Sequence, residues 1–462
     1  MRLCEDGRVA DLEAIFKAYD VRGLVPSQLD DSTARAIGAA FADEALDGSS
    51  EPAVVVGRDM RPTSVPLSNA FSDGVRDRGA DVIRIGLAST DQLYFASGRL
   101  GLPGAMFTAS HNPAAYNGIK LCRAGAVALS SATGLVAIRA RLERGHAVEV
   151  VRPRGSVEDR DLLDSYASYL LDLVPVRGRR LKVVVDAGSG MAGHTAPAVL
   201  GRLDVELVAM YFDLDGSFPH HDANPLDPAN LRDLQEAVVA EGADVGLAFD
   251  GDADRCFVID EQGSVVSPSA LTALIAVRCL TVEPGARIIH NVITSRAVPQ
   301  IIAHHGGVAI RTRVGHSLIK ATMADENAAF GGEHSGHFYF RDFWYADSGM
   351  LAALHLLASL AVGESAVSEL VRDLDPYFSS GEINTMLPDA AAVLAAVADA
   401  YCGRPGTTLD RLDGLTVSAD EWWFNVRASN TEPLLRLNVE GTTRAIMADV
   451  RDEVVALMRR TT

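Results

Sequence analysis

Three carboxylates at alternate positions, Asp250, Asp252 and Asp254, lie between two apolar runs in the segment DGDADR (250–255). In a tight loop these side chains converge, and carboxylate oxygens are the ligands that Mg²⁺ and Ca²⁺ prefer in proteins. The segment therefore predicts a divalent-cation site. Three carboxylates are fewer ligands than such an ion takes, so we expect a further oxygen ligand from another part of the chain.

Two other kinds of site use similar acidic runs. An EF-hand has Glu at its twelfth position, as Glu261 is here, but Arg255 replaces the glycine required at the sixth and both flanks are typical of strands. A haloacid-dehalogenase-type phosphatase uses an aspartate nucleophile in a DxDx[TV] run, which Arg255 does not match. A solvated acidic turn is the alternative that needs no ligand.

A candidate nucleophile stands in FTASHNPAAYNGIK (107–120), where Ser110 and His111 follow a predicted strand that ends at Thr108, and Lys120 comes later. Because α/β folds carry their chemistry at the carboxyl ends of strands, the Ser110 hydroxyl is a candidate for covalent catalysis and His111 a catalytic candidate beside it. The GxSxG pattern of a nucleophile elbow is absent. The alternative is a plain turn, since Ser, Asn and Pro are common turn residues.

Two glycine-bearing segments, RVGHS (313–317) and GGEHSGH (331–337), carry polar side chains that suit sugar hydroxyls and proton transfer near neutral pH. The residues concerned are His316, Glu333, His334, Ser335 and His337. A single histidine of this kind is typical of an ordinary loop. The pair of loops together favours a ligand site.

Further candidates for binding phosphate stand at both ends of the chain. In RASNTEP (427–433), an arginine is followed by hydroxyl and amide donors after a predicted strand, which is typical of a phosphate clamp, although a turn between two strands explains it equally well. The donors are Arg427, Ser429, Asn430 and Thr431. Near the start, Arg22 beside Tyr19 in KAYDVRG is a second candidate, with GRD (57–59) following it. The segment HHDANP (220–225) is typical of a loop rather than a metal site.

The elements that must position these residues alternate between strand and helix for most of the chain. Apolar runs at 52–57, 81–86 and 104–108 predict buried strands, and the pattern over 64–79 predicts a helix between two of them. The same alternation recurs, with strands expected at 182–188, 205–212, 244–252, 286–292 and 307–315. This predicts an α/β fold of three similar domains with mixed sheets covered by helices.

The last part of the chain differs, because the pattern over 414–441 predicts strands joined by turns and that over 444–460 predicts an amphipathic closing helix. We therefore expect a smaller C-terminal α+β domain, with all four domains around a central cleft. Turn residues place the domains at 1–152, 153–265, 266–375 and 376–462, which carry the serine, metal, sugar and phosphate loops respectively.

Composition narrows the class of partner. The 462 residues include 42 Lys and Arg against 61 Asp and Glu, a formal charge of −19, which argues against nucleic acid because phosphate backbones need a basic face. A site for an anionic ligand must then be built locally from cations and backbone N–H groups. The same charge disfavours close self-association, so a monomer is expected, with a dimer as the alternative.

Cysteine use and hydropathy indicate the compartment. Five scattered cysteines, Cys4, Cys122, Cys256, Cys279 and Cys402, form no CxxC pair, which is typical of reduced intracellular thiols, and we expect them in the core. The N-terminus is acidic where a signal peptide needs a basic stretch, and the longest apolar run, 350–362, is too short to span a bilayer. We therefore expect a cytoplasmic protein without membrane contact.

Taken together, the clusters offer a hydroxyl nucleophile, a divalent metal, sugar-type hydrogen bonds and a phosphate clamp. The simplest common task is phosphoryl transfer on a phosphorylated small molecule. TASHNP, DGDADR, GEHSGH and RASNTEP, in this order, resemble the four signature loops of the α-D-phosphohexomutase superfamily, in particular its bacterial phosphomannomutase/phosphoglucomutase branch. The resemblance runs from KAYDVRG to the final strand–turn–strand and so covers nearly the whole chain.

The resemblance implies a role for each loop. Ser110 would be the phosphoserine, and one of its phosphate oxygens would join Asp250, Asp252 and Asp254 around Mg²⁺. Arg255, Arg22 and Lys120 would neutralise the transferring group, Glu333 and Ser335 would hold the sugar hydroxyls, and residues 427–431 would grip the phosphate that is not reacting. A hexose 1,6-bisphosphate would serve as intermediate and activator. Lys120, His316 and His337 are the candidates for the general base.

The sugar is less clearly indicated than the chemistry. His334 stands where glucosamine-type mutases usually have Gln, and 218–231 resembles the mannose/glucose branch, which favours mannose 6-phosphate and mannose 1-phosphate over glucose phosphates, with phosphoglucosamine third. Related enzymes often carry a Lys where this chain has Ile293, and the alternatives are that Arg296 substitutes for it or that the contact is absent. A metal-dependent sugar phosphatase and a non-catalytic sugar-phosphate-binding protein remain the alternatives.

Overall fold

The structure is a computed structural model and describes residues 11–46, 52–144, 150–386, 389–428 and 434–460. The chain divides into two compact units. The first contains the chain up to Pro268 together with Ser335–Glu369, and the second contains Ser269–His334 together with the chain from Leu370 onward.

The first sheet is mixed and belongs to the first unit. Its strands are β1 (Val21–Leu24), β2 (Ala53–Arg58), β3 (Asp81–Leu87), β4 (Gly104–Phe107), β5 (Tyr116–Arg123), β6 (Val127–Ala128) and β7 (Val157–Asp159). Its helices are α1 (Leu12–Ile15), α2 (Asp31–Ala45), α3 (Ser64–Asp77), α4 (Thr90–Leu100) and α5 (Val136–Glu143). The strand order is β1-β5-β4-β2-β3-β7, with β6 beside β5.

The order of this sheet places the serine loop. β2 runs parallel to β3 and β4, and its buried valines are typical of a central strand covered on both faces. β4 then pairs antiparallel with β5, so that Met106 lies opposite Lys120, and β5 pairs antiparallel with β1, so that Gly118 lies opposite Arg22. The carboxyl end of β4, Lys120 and Arg22 therefore lie on three neighbouring strands.

The second sheet, also in the first unit, carries the acidic loop. Its strands are β8 (Leu181–Asp186), β9 (Val205–Met210), β10 (Val245–Phe249), β11 (Cys256–Ile259) and β12 (Val265–Val266), with helices α6 (Leu163–Leu173), α7 (Ala192–Leu200) and α8 (Arg232–Glu241). β8 is parallel to β9 and β10, whereas β10 and β11 form an antiparallel hairpin. Residues 250–255 form the turn of that hairpin, so the flanks are strands, and an EF-hand, which needs helices there, is excluded.

The second unit begins with parallel strands. Its elements here are α9 (Pro268–Val282), β13 (Arg287–Asn291), α10 (Ala297–His304), β14 (Val308–Thr312), α11 (His316–Glu326) and β15 (Phe330–Gly332). β13 lies between β14 and β15 and is parallel to both. The segments after these three strands therefore leave the sheet at one edge, and they include RVGHS and the start of GGEHSGH.

Residues 335–369 return to the first unit. They form the hairpin β16 (Phe338–Phe340) and β17 (Ala346–Asp347) and then α12 (Gly349–Val362), and α13 (Val367–Arg372) follows. Aromatic rings anchor this segment to the unit, since Trp344 stacks on Tyr169 of α6 with ring centroids 5.3 Å apart and lies 6.3 Å from the ring of Phe95 in α4. Such contacts bury large apolar areas. They therefore fix the position of the segment that contains His337 and Asp347.

The chain ends in an antiparallel sheet of the second unit. Its elements are β18 (Phe378–Met386), α14 (Ala390–Tyr401), β19 (Thr408–Asp410), β20 (Leu415–Ser418), β21 (Trp422–Ala428), β22 (Leu434–Gly441) and α15 (Arg444–Arg460). The order is β18-β22-β21-β20-β19. Buried side chains of α14 and α15 pack against the sheet, which is the expected α+β arrangement with its closing helix.

The architecture expected from the sequence is confirmed, with α/β sheets first and an antiparallel sheet last. The proposed domain boundaries stay a prediction. Within the described ranges, no helix combines the length and the hydropathy needed to cross a bilayer.

The placement of all cysteines in the core was wrong. Cys122 and Cys256 are buried, but Cys279 is half-buried and Cys402 is exposed, and Cys4 lies outside the described residues. Cys402 directly follows α14 at its C-terminal end, where the chain leaves the core.

Candidate active site

The Ser110 hydroxyl lies beside the acidic loop. Ser110 follows β4, is buried with 3% of its surface exposed, and has a φ of 50°, in the left-handed region. Its Oγ donates to Asp250 Oδ2 at 2.8 Å and accepts from Arg255 Nη2 at 3.0 Å. A hydroxyl between a carboxylate and a guanidinium is held in one orientation, which is what an attacking or accepting oxygen needs.

The three aspartates converge as expected. Asp250, Asp252 and Asp254 are buried, and each offers a carboxylate oxygen within 4.8 Å of those of the other two. No hydrogen-bond donor within the described ranges reaches Asp252 Oδ1 or Asp254 Oδ1, although both atoms are buried. A buried carboxylate oxygen that accepts no hydrogen bond is costly unless a cation lies against it. These oxygens are therefore suitable ligands for a hard divalent ion.

Lys120 joins the acidic loop from β5. Its Nζ donates to Asp252 Oδ2 at 2.6 Å and to Asp254 Oδ2 at 2.5 Å. Burial alone would lower the pKa of Lys120, but the surrounding carboxylates outweigh it and raise that pKa. The Lys120 ammonium therefore stays charged beside the site. Burial and the two other aspartates raise the pKa of Asp250.

Arg255 and His111 form a second contact at Ser110. Arg255 Nε lies 3.0 Å from Asp250 Oδ2, and its Nη2 also donates to His111 Nδ1. Burial, with Arg255 and Arg22 nearby, holds the pKa of His111 well below its usual range. His111 is therefore neutral and accepts a hydrogen bond at Nδ1 from the arginine, which suits a positioning role more than a proton-transfer role.

Arg22 reaches the serine loop from β1. Its Nη1 donates to Asn112 Oδ1 at 2.5 Å, and its Nη2 donates to Asp20 Oδ2 at 2.5 Å. Tyr19 is half-buried in the bend just before β1. The structure thus brings Arg22 to the serine loop, and Tyr19 lies close to it in the chain.

His337 lies beside Asp254. Its Nδ1 is 2.8 Å from Ser335 Oγ, and its Nε2 is 3.6 Å from Asp254 Oδ1 and 4.0 Å from Asp347 Oδ2. The backbones of Arg255 and His337 also form an antiparallel bridge. The second half of GGEHSGH therefore belongs to the same site as the acidic loop.

The first half of that segment belongs to the second unit. Glu333 is buried, and its Oε1 accepts from Asn291 Nδ2 at 3.2 Å and from the backbone N–H of Gly315 at 3.3 Å. His316 follows Gly315 and begins α11. The two loops that the sequence paired are therefore adjacent, because parallel strands end at one sheet edge.

Arg427 is held by a carboxylate that the sequence did not single out. Arg427 and Arg436 are directly opposite each other on β21 and β22, and Glu382 accepts from both at 2.9 Å. Burial lowers the pKa of Arg427, which Glu382 opposes, and burial lowers the pKa of His334. The predicted partners Ser429, Asn430 and Thr431 lie outside the described residues.

The guanidinium of Arg296 binds backbone carbonyl oxygens, and whether it takes the place of the lysine stays a prediction. Ile293 is buried, and Arg296 donates to the carbonyl oxygens of Ala419, Asp420 and Trp422 at 2.8–3.0 Å. The guanidinium therefore links the start of α10 to the turn before β21.

Thr90 is a site residue that the sequence reasoning missed. Its Oγ1 donates to Asp252 Oδ2 at 2.5 Å, and its backbone N–H donates to the Asp252 carbonyl at 3.0 Å. Thr90 begins α4 after the parallel strand β3. Hydroxyl residues at the carboxyl end of a parallel strand, as in LAST (87–90), are the signal that points to it.

Comparison with family models matches four successive parts of the chain. Models described as phosphoglucomutase/phosphomannomutase match in four parts: alpha/beta/alpha domain I at residues 13–148, domain II at 163–263, domain III at 267–377 and the C-terminal domain at 382–457. Phosphate transfer is the reaction of this family, and its members depend on a metal.

Individual relatives are similar to this chain over nearly its whole length. The chain is 41% identical to a phosphomannomutase of Salmonella typhimurium, over 92% of this chain and 94% of that one, and 39% identical to phosphohexose mutases of Xanthomonas campestris, over 96% and 99%. A crystal structure of a phosphoglucomutase/phosphomannomutase family protein from Burkholderia thailandensis superposes with a TM-score of 0.88 at 33% identity, covering 97% of this chain and 98% of that one. The chain belongs to the phosphoglucomutase/phosphomannomutase family.

Proposed function

We propose that this chain interconverts mannose 6-phosphate and mannose 1-phosphate through a phosphorylated Ser110 and a hexose 1,6-bisphosphate intermediate. Glucose 6-phosphate and glucose 1-phosphate are the second pair, and phosphoglucosamine is the third. The observation that carries the proposal is the 2.8 Å hydrogen bond from Ser110 Oγ to Asp250, with Arg255 on the same oxygen.

The proposed metal is Mg²⁺, held by Asp250, Asp252, Asp254 and an oxygen of the Ser110 phosphate. When bound, it would supply positive charge to the transferring group. The two buried aspartate oxygens that accept no hydrogen bond within the described ranges support this assignment. A hexose 1,6-bisphosphate would act as activator by phosphorylating Ser110.

In the first half-reaction, a sugar hydroxyl attacks the phosphorus on Ser110. A bond forms from the hydroxyl oxygen to phosphorus, the bond from phosphorus to Ser110 Oγ breaks, and the hydroxyl proton passes to a general base. Arg255 would stabilise the electron pair left on Oγ, to which it already donates. The bisphosphate then reorients, and Ser110 Oγ attacks the phosphorus of its other phosphate. The bond from that phosphorus to the sugar oxygen breaks, and the sugar oxygen takes the proton back from the general base.

The general base is chosen from Lys120, His316 and His337. Lys120 is paired with two carboxylates that keep it charged, which supports its role as a neutralising cation together with Arg22. We therefore propose a histidine as the base. His337, 3.6 Å from Asp254, is the candidate within the first unit, and His316 is the candidate in the second.

Residues of the second unit keep the roles that the resemblance implies. Glu333, with Ser335 of the first unit, would bind the sugar hydroxyls, and Arg427 with 429–431 would bind the phosphate that is not reacting. The position of Glu333 beside Gly315 of the RVGHS loop supports the first role, because both sugar-type loops then lie at one sheet edge. We also propose domain boundaries near residues 152, 265 and 375, a monomer, and a cytoplasmic location.

The test is ³¹P NMR of the purified protein with Mg²⁺, a trace of hexose 1,6-bisphosphate, and mannose 1-, glucose 1- or glucosamine 1-phosphate in turn. The mutase converts the 1-phosphate signal to the 6-phosphate signal. Steady release of inorganic phosphate would instead identify a metal-dependent phosphatase, and binding without conversion would identify a binding protein.

Ser110→Ala is the variant that tests the nucleophile. We expect turnover to fall at least about a thousandfold while sugar phosphate still binds, because the variant has no oxygen to carry the phosphoryl group. Ser168→Ala, at an exposed position on α6, is the matched control. Full turnover in Ser110→Ala would end the proposal.

A further inference from the structure

Arg61 is a fully buried arginine that the proposed chemistry does not use. It follows β2 in the segment GRDMR (57–61), and its side chain is 0% exposed. A buried guanidinium is costly unless its N–H groups find acceptors. The position of those acceptors therefore shows what the residue is for.

The guanidinium donates to four backbone carbonyls between residues 110 and 116. Nη1 donates to Pro113 at 2.9 Å and to Tyr116 at 3.0 Å. Nη2 donates to Ser110 at 2.9 Å and to Asn112 at 2.6 Å. Residues 108–115 have no regular strand or helix of their own, so one side chain supplies donors that a sheet would otherwise supply.

Arg61 is itself held in place. Its Nε donates to Asp59 Oδ2 at 3.2 Å, while Asp59 Oδ1 accepts from the Arg61 backbone N–H at 3.0 Å and from Ser64 Oγ at 2.6 Å. The ring of Phe218 lies against the guanidinium, 5.0 Å from Cζ to the centroid. The donors are therefore fixed before any ligand binds.

We propose that Arg61 is a positioning residue, which holds the Ser110 loop so that Ser110 Oγ stays at the acidic site. The expected effect of Arg61 on turnover rests on the proposed function. Its expected effect on the order of the Ser110 loop rests only on the hydrogen bonds to that loop. Transfer between two oxygens is sensitive to displacement, so a loosened loop slows the reaction more than it weakens binding.

The test compares Arg61→Lys, Arg61→Met and the control Arg76→Lys. Arg76 lies on α3 in the same unit and donates to the Gly155 carbonyl at 2.9 Å, away from the serine loop. Three quantities are measured: thermal unfolding, kcat and KM per folded molecule with mannose 1-phosphate, and amide hydrogen exchange over residues 108–118.

We expect kcat to fall at least about tenfold in Arg61→Lys and further in Arg61→Met, with KM changed less than about threefold. Hydrogen exchange should rise within 108–118 and stay unchanged in the control. The order Lys above Met separates a donor role from filling of space, because methionine fills the site without donating.

Two further outcomes are informative. If the wild type has no mutase turnover, the proposed function fails, while the exchange measurement still decides the role of Arg61. If neither Arg61 variant folds, Asp59→Asn keeps the arginine but removes its charged partner, and the same local rise in exchange is expected. Unchanged exchange over 108–118, or a kcat that falls only with the folded fraction, would overturn the proposal.

Discussion

Single residues control how closely the two loops of the site approach each other. A Cβ added to Gly251 would lie 2.5 Å from the Ser110 carbonyl oxygen, well inside van der Waals contact. The glycine in DGDADR therefore lets the acidic loop reach the serine loop. Asp250 and Asp252 supply the charge, and the missing side chain of Gly251 leaves room for the Ser110 carbonyl.

Gly251→Ala should separate the two loops. We expect the free energy of unfolding to fall by about 1–3 kcal/mol and turnover to fall more than stability accounts for, because Ser110 moves away from Asp250. Urea unfolding and kcat measure the two effects. Gly363→Ala is the control, since the nearest atom to its added Cβ is 3.8 Å away. Wild-type turnover in Gly251→Ala would contradict this view.

His221 makes stability depend on pH. Its Nε2 lies 3.0 Å from the buried Asp186 Oδ2, and the hydrogen bond with Asp186 outweighs burial and raises the pKa of His221 from 6.5 to about 8. A raised folded-state pKa gives stability that is fully present below the unfolded pKa and is lost as pH rises through about 8.

His221→Gln should therefore cost about 1–2 kcal/mol of unfolding free energy at pH 6 and less at pH 9. Urea unfolding at the two pH values measures the difference. Asp186→Asn should remove the same pH dependence, and the double variant should add little to either. An equal cost at both pH values would show that the ion pair is not the cause.

Among the elements, α4 packs closely against the segment 335–369. A Cβ added to Gly98 of α4 would overlap three ring carbons of Trp344. The same helix begins at Thr90, which binds Asp252. One helix thus joins the aromatic cluster to the metal loop.

Gly98→Ala should destabilise the first unit by about 1–3 kcal/mol, because the ring cannot retain its place. The measurement is urea unfolding of the full chain. Gly98→Ala combined with Trp344→Leu should lose less than the sum of the single losses, since the smaller side chain makes room. Strict additivity would show that the helix and the ring do not compete for space.

For the molecule as a whole, metal binding and folding should be linked. Asp250, Asp252 and Asp254 are buried side by side, so an ion that binds the folded chain stabilises it against unfolding. Mg²⁺ at about 100 times its Kd should add about 2.7 kcal/mol. Thermal unfolding with Mg²⁺ and with EDTA measures this, and Asp252→Asn should lose most of the effect. Equal midpoints with and without Mg²⁺ in the wild type would contradict the metal site.

The fold class and the charged residues of the acidic loop could be predicted from the amino-acid order, because hydrophobic alternation and short motifs depend on neighbouring residues, whereas the roles of the loops stay predictions. The local patterns indicated Ser110 and the aspartates as separate clusters, and only the family resemblance implied that they meet. The structure supplies the geometry of that meeting, a 2.8 Å contact between loops of different sheets.

Several partners likewise depend on the folded chain. Arg61, Thr90 and Glu382 act through contacts with residues far away in the chain, and nothing in their local sequence states which carbonyl, carboxylate or guanidinium they reach. The exposure of Cys402 also follows from where α14 ends. Local chemistry sets what a side chain can do, and packing decides what it meets.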